Sequence, residues 1–180
     1  DLDHDGKITE LDQTWIYDPV PDFTYGFNIY LEYKNFDFTA FFQGVQGVDI
    51  ISDLKKETDI WAGLNIGNLN KGHRLLNAWC VDNPSSNIPA VTLSDNNNEK
   101  RVSTYWVENG SYLKLRTIQL GYNLPQNIVS KLSMQRLRMY VSAQNLFTIK
   151  SSSFTGVDPE NPNYGYPIPL NITFGLNVTF

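Results

Sequence analysis

The chain has 180 residues, of which 18% are charged and 13% aromatic, and a net charge of -5. Scattered cations on an acidic chain exclude a nucleic-acid partner, which selects clustered Lys and Arg. A single cysteine, Cys80, excludes an intrachain disulfide or a cysteine-based metal cluster.

No run approaches the roughly 18 to 20 apolar residues of a membrane helix. That leaves a β-barrel open, because barrel strands alternate rather than run.

At the start of the chain, carboxylates recur at Asp1, Asp3, Asp5 and Asp12, with Gly6 at the sharp turn and the Lys7 carbonyl between them. This is the spacing of an EF-hand-type calcium loop, which aims several hard oxygens at one point. Asp12 stands where a bidentate Glu is usual, which should weaken the site. A structural Ca²⁺ held by Asp1, Asp3, Asp5, Lys7 and Asp12 is the expectation; an acidic turn that needs no ion is the alternative.

Residues 23–33 alternate strictly, with Phe23, Tyr25, Phe27, Ile29, Leu31 and Tyr33 on one face and polar or small groups on the other. Period two predicts a strand with one apolar side. Lys34-Asn35 makes a tight turn into a second strand, with Phe36, Phe38, Ala40 and Phe42 on its apolar side. A long polar stretch from 48 to 103 follows, rich in Asn, Asp, Ser and Pro and without sustained period.

The third strand, 111–123, breaks phase. Ile118, Leu120 and Tyr122 share one face, whereas Leu113 and Leu115 fall on the other. Either a β-bulge near Arg116 resets the phase, or the upper part of the strand projects beyond the membrane. Pro125 opens a short connection with room for a helical turn. The fourth strand, 135–148, aligns Leu137, Met139, Val141 and Ala143, opposite Arg136, Arg138 and Tyr140. After a loop rich in Pro, Gly and Tyr, the last strand sets Ile168, Leu170, Ile172, Phe174, Leu176, Val178 and Phe180 against Asn171, Thr173, Gly175, Asn177 and Thr179.

Connections alternate long and short along the chain, as they do in outer-membrane barrels, where short turns are periplasmic and long loops extracellular. The expected fold class is therefore all-β: about five antiparallel strands of a large transmembrane β-barrel. Strands missing from these 180 residues must close it, since five cannot and their exposed edges would be a liability.

No catalytic arrangement is expected, because His4 and His73 are isolated and no phosphate loop exists. Arg136 and Arg138 offer themselves as pore-lining or substrate-contacting groups, but charges are cheap in a water-filled lumen, and a solvated face is the expectation. Trp61, Trp79, Trp106, Tyr164 and Tyr166 lie in or beside the long loops, where they either stack on sugars or pack the loops. The Asn171 and Asn177 sequons are better explained as lumen-facing strand positions.

Five segments carry a family resemblance: DLDHDGKIT, FTYGFNIYLEYKNFDFTAFFQGVQG, YWVENGSYLKLRTIQLGYNLP, LRMYVSAQNLFTIKSSSFTGVDPENP and the terminal GLNVTF. In this order they resemble the C-terminal part of SusC/RagA-type TonB-linked outer-membrane proteins of Bacteroidetes. The resemblance implies a barrel of about 22 strands with a plug in its lumen. It also implies energy from TonB through an N-terminal part outside these residues, a SusD-like surface lipoprotein as partner, outer-membrane lipid around the wall, and import of an oligosaccharide or peptide substrate. Phe180 resembles the signal read by the barrel-assembly machinery. The rival classes are a soluble, calcium-stabilised carbohydrate-binding β-sandwich and a dockerin-like module; the latter needs a second calcium loop, which the chain lacks.

Overall fold

The computed structural model describes residues 2, 4–6, 9–59, 71–92, 101–163 and 165–180. After a 3-10 turn at Glu10–Asp12, an extended segment leads into strand β1, Phe23–Tyr33. Strand β2, Phe36–Gln46, returns through Lys34-Asn35, where Lys34 takes the left-handed conformation (φ 55°). Such a tight turn fixes the hairpin register, here Tyr33 opposite Phe36 and Phe23 opposite Gln46.

The long loop holds a short ribbon, β3 (Asp49–Ile51) with β4 (Val107–Asn109), and helix α1, Asp53–Asp59. Strand β5, Tyr112–Asn123, is followed by helix α2, Gln126–Val129, which ends in a 3-10 turn at left-handed Ser133. Strands β6, Arg136–Lys150, and β7, Asn171–Thr179, complete the chain. The main sheet runs β1-β2-β5-β6-β7, every neighbour antiparallel.

The phase break resolves as a bulge. Thr117 pairs with Phe41 and Leu115 with Phe42, so Arg116 is extra on β5. The β6 side shifts too, with Leu115 opposite Phe147, Thr117 opposite Gln144, and Asn145 left-handed (φ 56°) between. One inserted residue flips the alternation. It therefore brings Leu113 and Leu115 onto the face of Ile118, Leu120 and Tyr122.

Register now defines two continuous faces. One row reads Leu31, Phe38, Leu120, Val141 and Phe174 across all five strands. This face is apolar and uncovered: Leu31 is 60% and Phe174 81% exposed. Rings tile its upper part, with Phe27 stacked on Phe42 at 4.6 Å and Phe147 meeting Phe42 edge-on at 6.5 Å. An exposed apolar surface this extensive needs a non-aqueous cover, and a lipid-facing barrel wall has this form. No helix among the described residues is long and apolar enough to cross a membrane; the strands carry the apolar surface.

The loop elements have a centre of their own. Trp106 is buried against Ile51 and Tyr105, and its indole N–H donates to the Arg101 carbonyl at 2.8 Å. Lys55 bridges to Glu108 at 3.0 Å, while Asp59 takes a hydrogen bond from the Tyr105 hydroxyl (2.7 Å) and pairs with Arg74 (3.0 Å). Burial, reinforced by the Asp59 hydrogen bond, pushes the Tyr105 phenol well above its ordinary value.

Candidate functional site

The other face of the sheet is polar, and its charges fall into two bands. At the loop end, β5 delivers Lys114, only 1% exposed. A buried ammonium requires partners, and the 151–163 loop supplies them: Asp158 at 2.8 Å and Glu160 at 2.5 Å. Glu160 also accepts hydrogen bonds from the Tyr112 hydroxyl (2.6 Å) and from Arg116. The bulge turns Arg116 to this face, where its Nε donates to Gln43 at 2.9 Å. Burial pushes the Glu160 carboxyl up, but hydrogen bonds from Lys114, Tyr112 and Arg116 outweigh it and hold the group below the usual carboxylate range.

The same loop is tied to its neighbour. Glu108 accepts from the Thr155 backbone N–H at 3.0 Å and from its hydroxyl at 2.7 Å. Wall, long loop and 151–163 loop thus form one clamped unit.

At the opposite end of the strands, Arg138 on β6 reaches over β5 to Asp37 on β2 with two parallel bonds, Nε to Oδ2 at 2.8 Å and Nη2 to Oδ1 at 2.5 Å. Gly121 makes the crossing possible, since a Cβ there would lie 2.4 Å from Arg138 Nη2 and 2.5 Å from both Asp37 oxygens. Arg138 also lies over the Tyr140 ring at 5.2 Å. Arg136 donates to Asn123 Oδ1 at 3.0 and 2.9 Å. Between the two bands the wall offers neutral groups, among them Thr39, Gln119, Ser142 and Thr173 in one row.

The expectation that Arg136 and Arg138 form a solvated face is corrected for Arg138. Its side chain is 12% exposed and spent on Asp37. Trp106 packs its loop and offers no stacking face, whereas Trp79 and Tyr166 are exposed. Trp61 and Tyr164 lie outside the described residues, as do Asp1, Asp3 and Lys7 of the calcium-type loop.

Of that loop, Gly6 has the left-handed backbone (φ 83°) its position requires. Asp12 closes the segment on itself by accepting from the backbone N–H of Leu2 (2.5 Å) and Thr9 (2.6 Å). Asp5 and Asp12 are the described carboxylates of the set, and among the described residues no group of three or more metal-ligating side chains converges. Cys80 is exposed in a turn bridged to Asn83.

The 151–163 clamp escaped the sequence reading. Lys114 sits on the polar phase of its strand and Asp158 and Glu160 flank Pro159, which was the available signal. Nothing local says that they meet 44 residues apart.

No family model matches the sequence. The chain is 37% identical over 196 residues to TonB-dependent receptor P3 of Formosa agariphila, the match covering 100% of this chain and 18% of the relative. It is 32% identical to TonB-dependent receptor P26 of the same organism, covering 100% and 19%, and 27% identical to TonB-dependent receptor SusC of Bacteroides thetaiotaomicron, covering 100% and 17%. The chain therefore spans under a fifth of the length of these relatives.

Among solved structures, the RagAB peptide importer in its open-open state superposes with a TM-score of 0.74 at 28% identity, over 91% of this chain and 18% of that one. The RagAB peptide transporter gives 0.70 at 28% identity, over 86% and 17%. Two-faced sheet, bulge-corrected alternation and whole-chain similarity converge: the chain is a stretch of the outer-membrane β-barrel of a TonB-dependent receptor of the SusC/RagA type.

Proposed function

We propose that this stretch of wall belongs to a transporter that imports glycans or peptides across the outer membrane, energised by TonB and served by a SusD-like surface lipoprotein. The supporting observation is the clamped loop unit above a two-faced wall. It sits on a sheet that superposes on the RagAB peptide importer and resembles SusC in sequence. Lipid covers the apolar face, and the polar face lines the lumen. The wall performs no covalent chemistry; it separates lipid from an aqueous path and holds the loops that meet the cargo.

Deleting the gene of the intact receptor tests this reading. Growth on the cognate oligosaccharide or peptide should stop while growth on its monomers continues, and an affinity-tagged receptor should co-purify with a surface lipoprotein. Unchanged growth on every polymeric nutrient, together with a receptor recovered alone, refutes it. In the same proposal, Asp1, Asp3, Asp5, the Lys7 carbonyl and Asp12 hold a structural Ca²⁺ at the loop end of the barrel. The left-handed Gly6 at the sixth position of the loop supports that reading.

A further inference from the structure

A cavity of about 430 Å³ opens on the polar side of the wall at its loop end. Tyr17 and Pro19 from the segment before β1, Val48 and Ile50 from the long loop, and Pro159 and Pro162 from the clamped loop form its walls. The floor is rigid, because Tyr112 is fixed by its hydroxyl to Glu160, and Glu160 in turn to Lys114. Tyr112 and Glu160 at that floor are thereby committed to partners within the protein. A sugar would bring several hydroxyls to walls in which Pro19, Val48, Ile50, Pro159 and Pro162 offer no side-chain partner, and unanswered polar groups are costly. An apolar side chain meets no such cost.

The rim carries one further charge. Asp49 lines the cavity, and among the described residues its Oδ2 accepts a backbone bond alone, from the Asp18 N–H at 3.2 Å. Among the described residues no cation is paired with Asp49, unlike Glu160. The mouth is therefore negative beside an apolar interior, which attracts a cation and repels an anion.

We infer that this cavity is a cargo subsite for a peptide segment bearing an apolar side chain next to a positive charge. The inference rests on the transporter reading and narrows its cargo at this position.

The test uses the intact receptor in detergent with three probes: the capped peptide Leu-Lys-Pro-Leu, its counterpart Leu-Glu-Pro-Leu, and maltohexaose. Calorimetry should rank the lysine peptide first, by about fivefold over the glutamate peptide at low salt, the most that an exposed ion pair contributes. Asp49→Asn should erase that preference and leave the barrel intact, since an amide oxygen still accepts the Asp18 bond. Tyr17→Ala should weaken both peptides about tenfold, as loss of an aromatic wall does.

Equal affinities in wild type and both variants overturn the subsite. So does maltohexaose binding that falls with Tyr17→Ala while the peptides do not bind. In either case uptake that still depends on the receptor leaves the transporter reading standing; uptake that never depended on it removes both.

Discussion

Replacing Phe174 by Arg, with Thr173→Arg beside it, measures which face of β7 meets lipid. The ten residue steps from Leu170 to Phe180 advance about 34 Å along an antiparallel strand. At a tilt of about 40° that is about 26 Å of height, the thickness of the apolar band of an outer-membrane barrel. Phe174 lies four steps from Leu170, about 10 Å below the upper edge and therefore near the midplane. Its ring is 81% exposed on the apolar face, in register with Val141. An arginine at this depth costs about 2–4 kcal/mol, so a value of about 3 shifts the assembly equilibrium by about two orders of magnitude. Thr173 pairs with Ser142 on the polar face, where an added cation stays in water. Heat-modifiable mobility of the intact receptor in unboiled gels reports assembled barrel; Phe174→Arg should remove most of it and Thr173→Arg little. Equal yields from the two variants, or the reverse order, would refute the assignment of faces.

Lys114→Met should free the 151–163 loop by leaving Asp158 without its cation, a cost of about 3 kcal/mol for breaking a buried pair; limited proteolysis of that loop should accelerate, and an unchanged cleavage rate counts against the clamp. Glu160 is held below its ordinary value, so its contribution is complete above the usual carboxylate range and fades as pH falls through the lowered value. The protection factors of the loop amides, from which the intrinsic pH dependence of exchange is removed, should accordingly be flat from about pH 8 to 6 and fall only in acid, below the usual carboxylate range; a step near neutrality contradicts this. Gly121→Ala should break the Asp37–Arg138 bridge at a cost of about 2 kcal/mol and lower the receptor's melting temperature, whereas Gly165→Ala, with open space around its Cβ position, should not. Calorimetric calcium binding should vanish in Asp5→Ala, and heats identical to wild type favour the plain acidic turn.

The strands were legible because alternation is a local property. Alternation over residues 23–46 specifies both strands and the turn at Lys34, and β7 falls inside its expected range. The phase break near Arg116 was visible, but its cause was not. A projecting strand and a bulge produce the same pattern, and the partner strands decide: Phe42 and Phe147 both oppose Leu115.

Charge pairing was illegible for a related reason. Period says which face Arg138 occupies but not that Asp37, 101 residues earlier, shares it two strands away. Register determines that, and the same register turned a supposedly solvated arginine into a paired one. In the long loop, α1 and the β3–β4 ribbon are too short to impose a period; buried Trp106 and its neighbours define them instead.

The crossing of Arg138 over Gly121 has a consequence for how these strands avoid the wrong alignment. A slip of one residue turns every apolar side chain to the wrong face and is forbidden by solvent alone. A slip of two preserves both faces, so hydrophobicity is nearly blind to it. That slip would place Asp37 opposite Gln119 or Asn123 rather than Gly121. Either side chain fills the space the bridge passes through, and the arginine and the carboxylate lose each other. A missing side chain on β5 thus distinguishes two alignments that the apolar pattern treats as equal.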